Sequence, residues 1–219
     1  MGDFFGEKFE NTPKDKIRSL ADYLQFFVKD SLEFEPGTQR RYSNAGYIVL
    51  GLIIEKISGE DYYDYVRKHI FLPAGMTSTG SYMMDGVTPK LATGYEHPES
   101  SAAAWESNIY TAPARGSSAG GGYSTLHDLF RFLRALRTGK LLSAKYSAWM
   151  LSGDSPKDNP KLPLTTGSIG IAGGAPGINA AIEFSAAGGN TVIVLANYSP
   201  PAAGEVAKVL RGYLERIKE

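Results

Sequence analysis

Apolar residues recur at helical spacing along most of the first two thirds of the chain. From Ser19, an N-cap by type, Leu20, Tyr23, Leu24, Phe27 and Val28 predict a helix running to Lys29 or Asp30. Residues 45–57 are apolar on most sides, which predicts a helix buried in a helical layer and ended by Ser58-Gly59 with a left-handed residue. Residues 61–70 predict a second, amphipathic helix that stops before Pro73-Ala74-Gly75. Ser124 is placed to cap a further helix with Leu126, Leu129, Phe130, Leu133 and Leu136 on one face and Gly139 as its stop, and residues 143–151 predict a short one after it. The pattern then changes to strands at 167–172, 178–184 and 191–197, the last two joined across Ala187-Gly188-Gly189-Asn190 as a hairpin. Pro200-Pro201 open a terminal helix whose expected buried stripe is Val206, Val209, Leu210, Tyr213, Leu214 and Ile217.

Helices followed by an antiparallel sheet closed by a helix predict an α+β fold in two layers. The expected organisation is a single domain over 1–219. Residues 1–151 are expected to be mainly helical with a loop excursion at 80–118, and 164–219 supply the strands and the last helix. Within the excursion, 91–95 and 107–110 are short candidate strands, and long loops of this kind frame binding sites or pack as flaps. Residues 1–16 are polar and irregular, yet Phe4, Phe5 and Phe9 need a surface to cover. At 219 residues the chain buries roughly 70% of its unfolded surface, so a substantial core is available.

Charge narrows the partners. Acidic and basic residues balance at 23 each without a basic stripe, so neither nucleic acid nor an anionic membrane is expected. The absence of cysteine removes disulfides and thiolate chemistry without fixing a compartment. No export signal and no membrane-spanning apolar run is present, so the chain as given reads as cytoplasmic. His69, His97 and His127 lack ligand or triad spacing, and neither a metal nor another cofactor is expected.

Two stretches carry candidate chemistry. Tyr42-Ser43-Asn44, after Pro36-Gly37, stands at a loop-to-helix junction where a phenol and a carboxamide can project into one cleft as proton carrier and hydrogen-bonding clamp. The same triplet also reads as a helix cap, with Ser43 or Asn44 capping and Tyr42 half buried at the helix foot. Gly116-Ser117-Ser118-Ala119-Gly120 spells the nucleophile-elbow pattern G-x-S-x-G, which makes Ser118 a candidate nucleophile. An elbow, however, needs a buried strand before it and a helix directly after, and neither is predicted here.

Glu35-Pro36-Gly37-Thr38, Tyr42-Ser43-Asn44-Ala45-Gly46-Tyr47, Leu50-Gly51-Leu52-Ile53-Ile54-Glu55, Pro73-Ala74-Gly75-Met76, Ala119-Gly120-Gly121-Gly122-Tyr123-Ser124-Thr125 and Gly173-Gly174-Ala175-Pro176-Gly177 occur in the order and spacing of one family. Over nearly its whole length the chain resembles the serine β-lactamase and penicillin-binding-protein-like hydrolases, and within them the class C β-lactamases and related esterases. The resemblance implies a β-lactamase/transpeptidase-like fold and ester or amide hydrolysis by acyl transfer on a small-molecule substrate. It implies Tyr42 as general base or proton shuttle, Asn44 as contact to substrate amide and lysine, and the backbone N–H of Gly174 as an oxyanion donor. Ser43, Gly173 and Ala175 would border the substrate.

The departures are equally specific. No serine here is followed three residues later by lysine, and Ile171 stands where the family's third motif has Lys or His. The resemblance therefore implies a chain truncated at its N-terminus, with Met1 as an imposed start. It is expected to be weakly active or a pseudoenzyme that keeps the cleft as a binding module. It is also expected to self-associate, or to use Phe4, Phe5 and Phe9, to cover the surface that the absent segment leaves.

Overall fold

A computed structural model describes residues 3–97, 104–152, 168–185 and 189–217. Two compact units interleave along the sequence: Met1–Lys68, Gly80–Leu91 and Ile109–Tyr123 form one, and His69–Thr79, Ala92–Asn108 and Ser124–Glu219 the other. The polar link at 153–163, the Ala/Ser-rich tract at 100–103 and residues 187–188 of the hairpin turn lie outside the described residues.

The first unit begins with α1 (Glu7–Glu10) and a 3-10 helix at Leu20–Phe26. The predicted α-helix from Ser19 is thus wound more tightly. Three residues per turn align Leu20, Tyr23 and Phe26, so Leu20 and Tyr23 bury while Val28 is left exposed. Asp22 takes part in the turn's start by accepting the N–H groups of Arg18 and Ser19 and the Ser19 hydroxyl. Helix α2 (Asn44–Ser58) follows, capped by Ser43 and ended by Gly59 at φ 71°, as the pattern predicts. It is only half buried: Ala45, Ile48 and Gly51 face the core, but Tyr47, Leu50, Ile53 and Ile57 are exposed. Near-uniform hydrophobicity around the helix concealed which side packs. Helix α3 (Tyr62–Val66) is capped by Asp61, and Arg67–Phe71 continues it as a π turn. Phe4 and Phe9 pack with Ile17, Leu20, Tyr23, Phe27, Ile48 and Tyr63, so two of the three N-terminal phenylalanines belong to this core and Phe5 stays exposed. Each such side chain contributes about 1.5–3 kcal/mol on burial.

In the second unit the short α4 (Leu72–Ala74) holds Pro73 inside its first turn, where a missing N–H costs nothing, and Gly75 at φ 77° stops it. Strands β1 (Tyr95–Glu96) and β2 (Glu106–Ser107) pair antiparallel, so the loop excursion contains a minimal ladder, and Asn108–Tyr110 coils into a 3-10 turn. Helix α5 (Leu126–Arg137) is capped by Thr125, not Ser124, whose hydroxyl is hydrogen-bonded to Thr79. Leu133 and Leu136 bury, whereas Leu126 and Phe130 remain exposed. Asp128, in the first turn of α5, is fully buried and accepts hydrogen bonds from Ser78 N–H at 2.7 Å, Thr79 Oγ1 at 2.9 Å and Arg131 at 2.8 Å.

After α6 (Ala144–Ser152) comes an antiparallel sheet of β3 (Ser168–Ala175), β4 (Ile178–Ser185) and β5 (Thr191–Ala196) in the order β3-β4-β5. Helix α7 (Ala202–Arg216) packs on β4 and β5. Its buried face is not the predicted one. Ala203 and Ala207 are fully buried and Leu214 packs beside them, while Val206, Val209, Leu210, Tyr213 and Ile217 are exposed. Two alanines let the helix lie close on the sheet, and a pattern weighted by hydrophobicity selects the larger side chains instead. Among the described residues no helix is long and apolar enough to cross a membrane.

Candidate functional site

In the first unit, the capping reading of the Tyr42 triplet holds at Ser43 and fails at Tyr42. Ser43 is the N-cap of α2, its hydroxyl accepting the Gly46 N–H at 3.1 Å. Capping fixes the backbone on either side and leaves Tyr42 and Asn44 to project. Tyr42 is 69% exposed rather than half buried, with its ring 5.7 Å from that of Tyr47. Its hydroxyl donates to Asn44 Oδ1 at 2.9 Å. Asn44 Nδ2 in turn donates to Asp3 Oδ2 at 2.7 Å, and the Asn44 backbone N–H reaches the same oxygen at 3.4 Å. No sequence pattern singles out Asp3, which lies 41 positions away in a segment without periodicity.

Ser118 sits in the same unit in a different setting. Ser117 and Gly120 close a tight turn on each other, Ser117 N–H to Gly120 O at 2.6 Å. The Ser118 hydroxyl donates to the carbonyl of Tyr47 in α2 at 2.8 Å. Its side chain lies where Gly51 leaves room: a Cβ built on Gly51 would stand 2.5 Å from Ser118 Oγ. The turn follows loop and is not directly followed by a helix, so G-x-S-x-G here lacks the architecture of an elbow.

In the second unit, Gly173, Gly174 and Ala175 end β3, and Pro176-Gly177, with Gly177 at φ 70°, make a two-residue turn closed by the pair Ala175 and Ile178. Closed and open pairs alternate along an antiparallel ladder, so Gly174, opposite Asn179, directs its N–H and C=O away from β4, to the side of β3 that pairs with no strand among the described residues. That is the orientation an oxyanion donor requires. A side chain at 174 would run into Pro200 Cγ, which accounts for glycine there. Buried Asn179 secures the strand end, donating to Gly173 O at 2.8 Å and accepting the Ala203 N–H at the start of α7 at 2.7 Å. Ile171, two residues before Gly173, is 54% exposed.

The family model described as Beta-lactamase matches residues 2–213. The chain belongs to the beta-lactamase family. A Bacillus subtilis protein named for penicillin binding, PbpX, is 33% identical over 191 residues, covering 85% of this chain and 45% of its own length. A penicillin-binding protein from Bacillus halodurans superposes with TM-score 0.83 at 28% identity, over 97% of this chain and 68% of that one. An octameric penicillin-binding protein homologue from Pyrococcus abyssi shares the fold, with TM-score 0.67 at 24% identity over 90% of this chain and 48% of its own. This chain thus spans less than half the length of its Bacillus subtilis relative. The fold is the beta-lactamase/transpeptidase-like one, helices plus antiparallel sheet.

Against the beta-lactamase pattern, the structure brings Tyr42, Ser43 and Asn44 together around the start of α2, and Gly173, Gly174 and Ala175 together at the end of β3. It leaves Ser118 bonded to helix backbone. No group of three His, Cys, Asp or Glu side chains suited to a metal occurs among the described residues. His97 instead packs edge-on to Trp105 at 5.7 Å.

Proposed function

We propose that residues 1–219 act as a single β-lactamase-like domain that presents part of an acyl-hydrolase cleft for ester or amide substrates. In this reading Tyr42 carries the proton, Asn44 orients the substrate, Gly174 N–H stabilises the oxyanion, and Ser43, Gly173 and Ala175 border the substrate. The observation that carries it is the Tyr42-to-Asn44 hydrogen bond at the N-terminus of α2 in a chain of this family. Core packing does not account for the Tyr42 phenol, which is 69% exposed and bonded to Asn44.

Turnover by the family's route is proposed to be small. The 219 residues contain no Ser-x-x-Lys, and apolar Ile171 supplies no charge to hold a substrate carboxylate or an ionised phenol. Exposed Ile171 also favours a second reading, a binding module that retains the cleft without acyl transfer. A chromogenic ester and a chromogenic cephalosporin offered to the purified chain separate the readings. The first gives slow hydrolysis lost in Tyr42→Phe. The second gives no hydrolysis but a ligand-induced rise in melting temperature that Asn44→Ala removes. Hydrolysis lost in Ser118→Ala sinks both.

We further propose that the partner of α7 is a second copy of the chain. At 100° per residue, Val206, Val209, Leu210, Tyr213 and Ile217 fall within about 100° of arc, and Glu205 and Arg216 flank them on the side away from the sheet. An antiparallel two-fold pairing sets each Glu205 against the partner helix's cation at the same flank, with the apolar stripe in the seam.

A further inference from the structure

We propose that Asp3 is a positioning residue that sets which way the Asn44 carboxamide faces and, through it, the role Tyr42 can play. The proposal rests on reading Tyr42 and Asn44 as cleft residues, though its contacts stand without that reading.

An ionised carboxylate only accepts hydrogen bonds, so the end of the Asn44 amide facing Asp3 must be the NH2, 2.7 Å from Asp3 Oδ2. The amide is planar, and its oxygen is therefore the end left for Tyr42, 2.9 Å away. An amide oxygen cannot donate, so the phenol must. One carboxylate thus fixes three groups in series. The Asn44 backbone N–H, also directed at Asp3 Oδ2, anchors the same carboxylate to the first turn of α2, and Asp3 Oδ1 accepts the N–H of Phe4, whose ring is buried in the core. The carboxylate is held by a residue that packing itself holds. Charge-assisted bonds polarise their neighbours, so the negative charge on Asp3 strengthens Asn44 Oδ1 as an acceptor.

The functional consequence is specific. With its proton committed to Asn44, Tyr42 acts as a proton carrier only after this bond opens, and of the two Asn44 Nδ2–H donors one is bonded to Asp3 and one is left for a substrate carbonyl. Asp3 therefore sets both the resting orientation and the barrier to leaving it.

The test is NMR of the full chain, with selective labels on asparagine side-chain amides and on tyrosine Cζ, assigned by loss of signal in Asn44→Ser and Tyr42→Phe. Asp3→Asn is expected to move the shifts of the Asn44 Nδ2 protons and to move Tyr42 Cζ, although Asp3 is hydrogen-bonded to Asn44 and not to Tyr42. Asp3→Glu restores part of both changes. Amide signals along 45–58 remain in place as a control on folding. If Asp3→Asn moves the Asn44 protons and leaves Tyr42 Cζ unchanged, Asp3 is a structural anchor only and the proposal fails. It fails equally if neither signal moves. Failure of the hydrolase reading appears separately, as absent hydrolysis and ligand binding with the NMR changes intact.

Discussion

Removing the carboxylate of Asp128 is predicted to cost more than any other single polar change among the described residues of the second unit. Its side chain is 1% exposed and receives the Ser78 N–H, the Thr79 hydroxyl and the Arg131 guanidinium. Asp128→Ala strips a charged acceptor from two donors, at about 1.5–3 kcal/mol each. The Arg131 pair adds at most about 1 kcal/mol, because Arg131 is half exposed and water replaces its partner. Burying a carboxylate is itself unfavourable by several kcal/mol, and the alanine escapes that penalty. With about 3 kcal/mol of that penalty relieved, the net loss is about 2 kcal/mol, which for a chain of this size lowers the melting temperature by roughly 4–8 °C. Asp128→Asn keeps the shape and one acceptor, so about half that loss is expected. Urea titrations of the parent and both variants, followed by circular dichroism, measure it. A loss below about 1 kcal/mol for Asp128→Ala would refute the reasoning, since donors of a buried node cannot be orphaned so cheaply.

Gly51→Ala places a Cβ 2.5 Å from both Leu20 Cδ1 and Ser118 Oγ, and the overpacking, about 1–3 kcal/mol, outweighs the roughly 1 kcal/mol gain in helix propensity. Pairing it with Ser118→Ala should recover part of the loss in thermal melts. Burial pushes the Tyr23 phenol up to about 12, against the opposing hydrogen bond with Ser117. A raised folded value means stability held below pH ~10 and lost as pH climbs from there through 12, an effect of about 2–3 kcal/mol that Tyr23→Phe should abolish in alkaline unfolding curves. Burial raises the carboxyl of Asp22, but hydrogen bonds from Arg18 N–H, Ser19 N–H and the Ser19 hydroxyl bring it below its ordinary value. Its stabilisation is therefore present above the unfolded carboxylate's pKa of ~3.9 and lost as pH falls through the folded one, and Asp22→Ala should flatten that acid limb. Tyr213→Asp in α7 should shift the chain to monomer by light scattering while leaving its circular dichroism unchanged.

Elements whose limits depend on local chemistry were legible in the sequence. Ser43 and Gly59 bracket α2, and the apolar runs at 178–184 and 191–197 mark β4 and β5. What could not be read is which side of α2 and of α7 packs. Helix α7 buries Ala203 and Ala207 because the sheet beneath admits a close approach, a fact that belongs to β4 and β5 rather than to the helix. The candidate residues Tyr42, Asn44 and Gly174 came from motif order, whereas Asp3 and, away from them, the structural Asp128 bond to partners 41 and 50 positions away. An aspartate three residues into a helix after Thr125 looks like ordinary first-turn charge until Ser78 and Thr79 are seen to close over it.

The proposed cleft is tested most directly by steady-state hydrolysis of a chromogenic ester by the parent chain, Tyr42→Phe and Ser118→Ala, each first shown to be folded. The account predicts slow turnover that Tyr42→Phe reduces at least about tenfold, a barrier increase of about 1.4 kcal/mol, and that Ser118→Ala leaves unchanged. Turnover that survives Tyr42→Phe and vanishes with Ser118→Ala would contradict it.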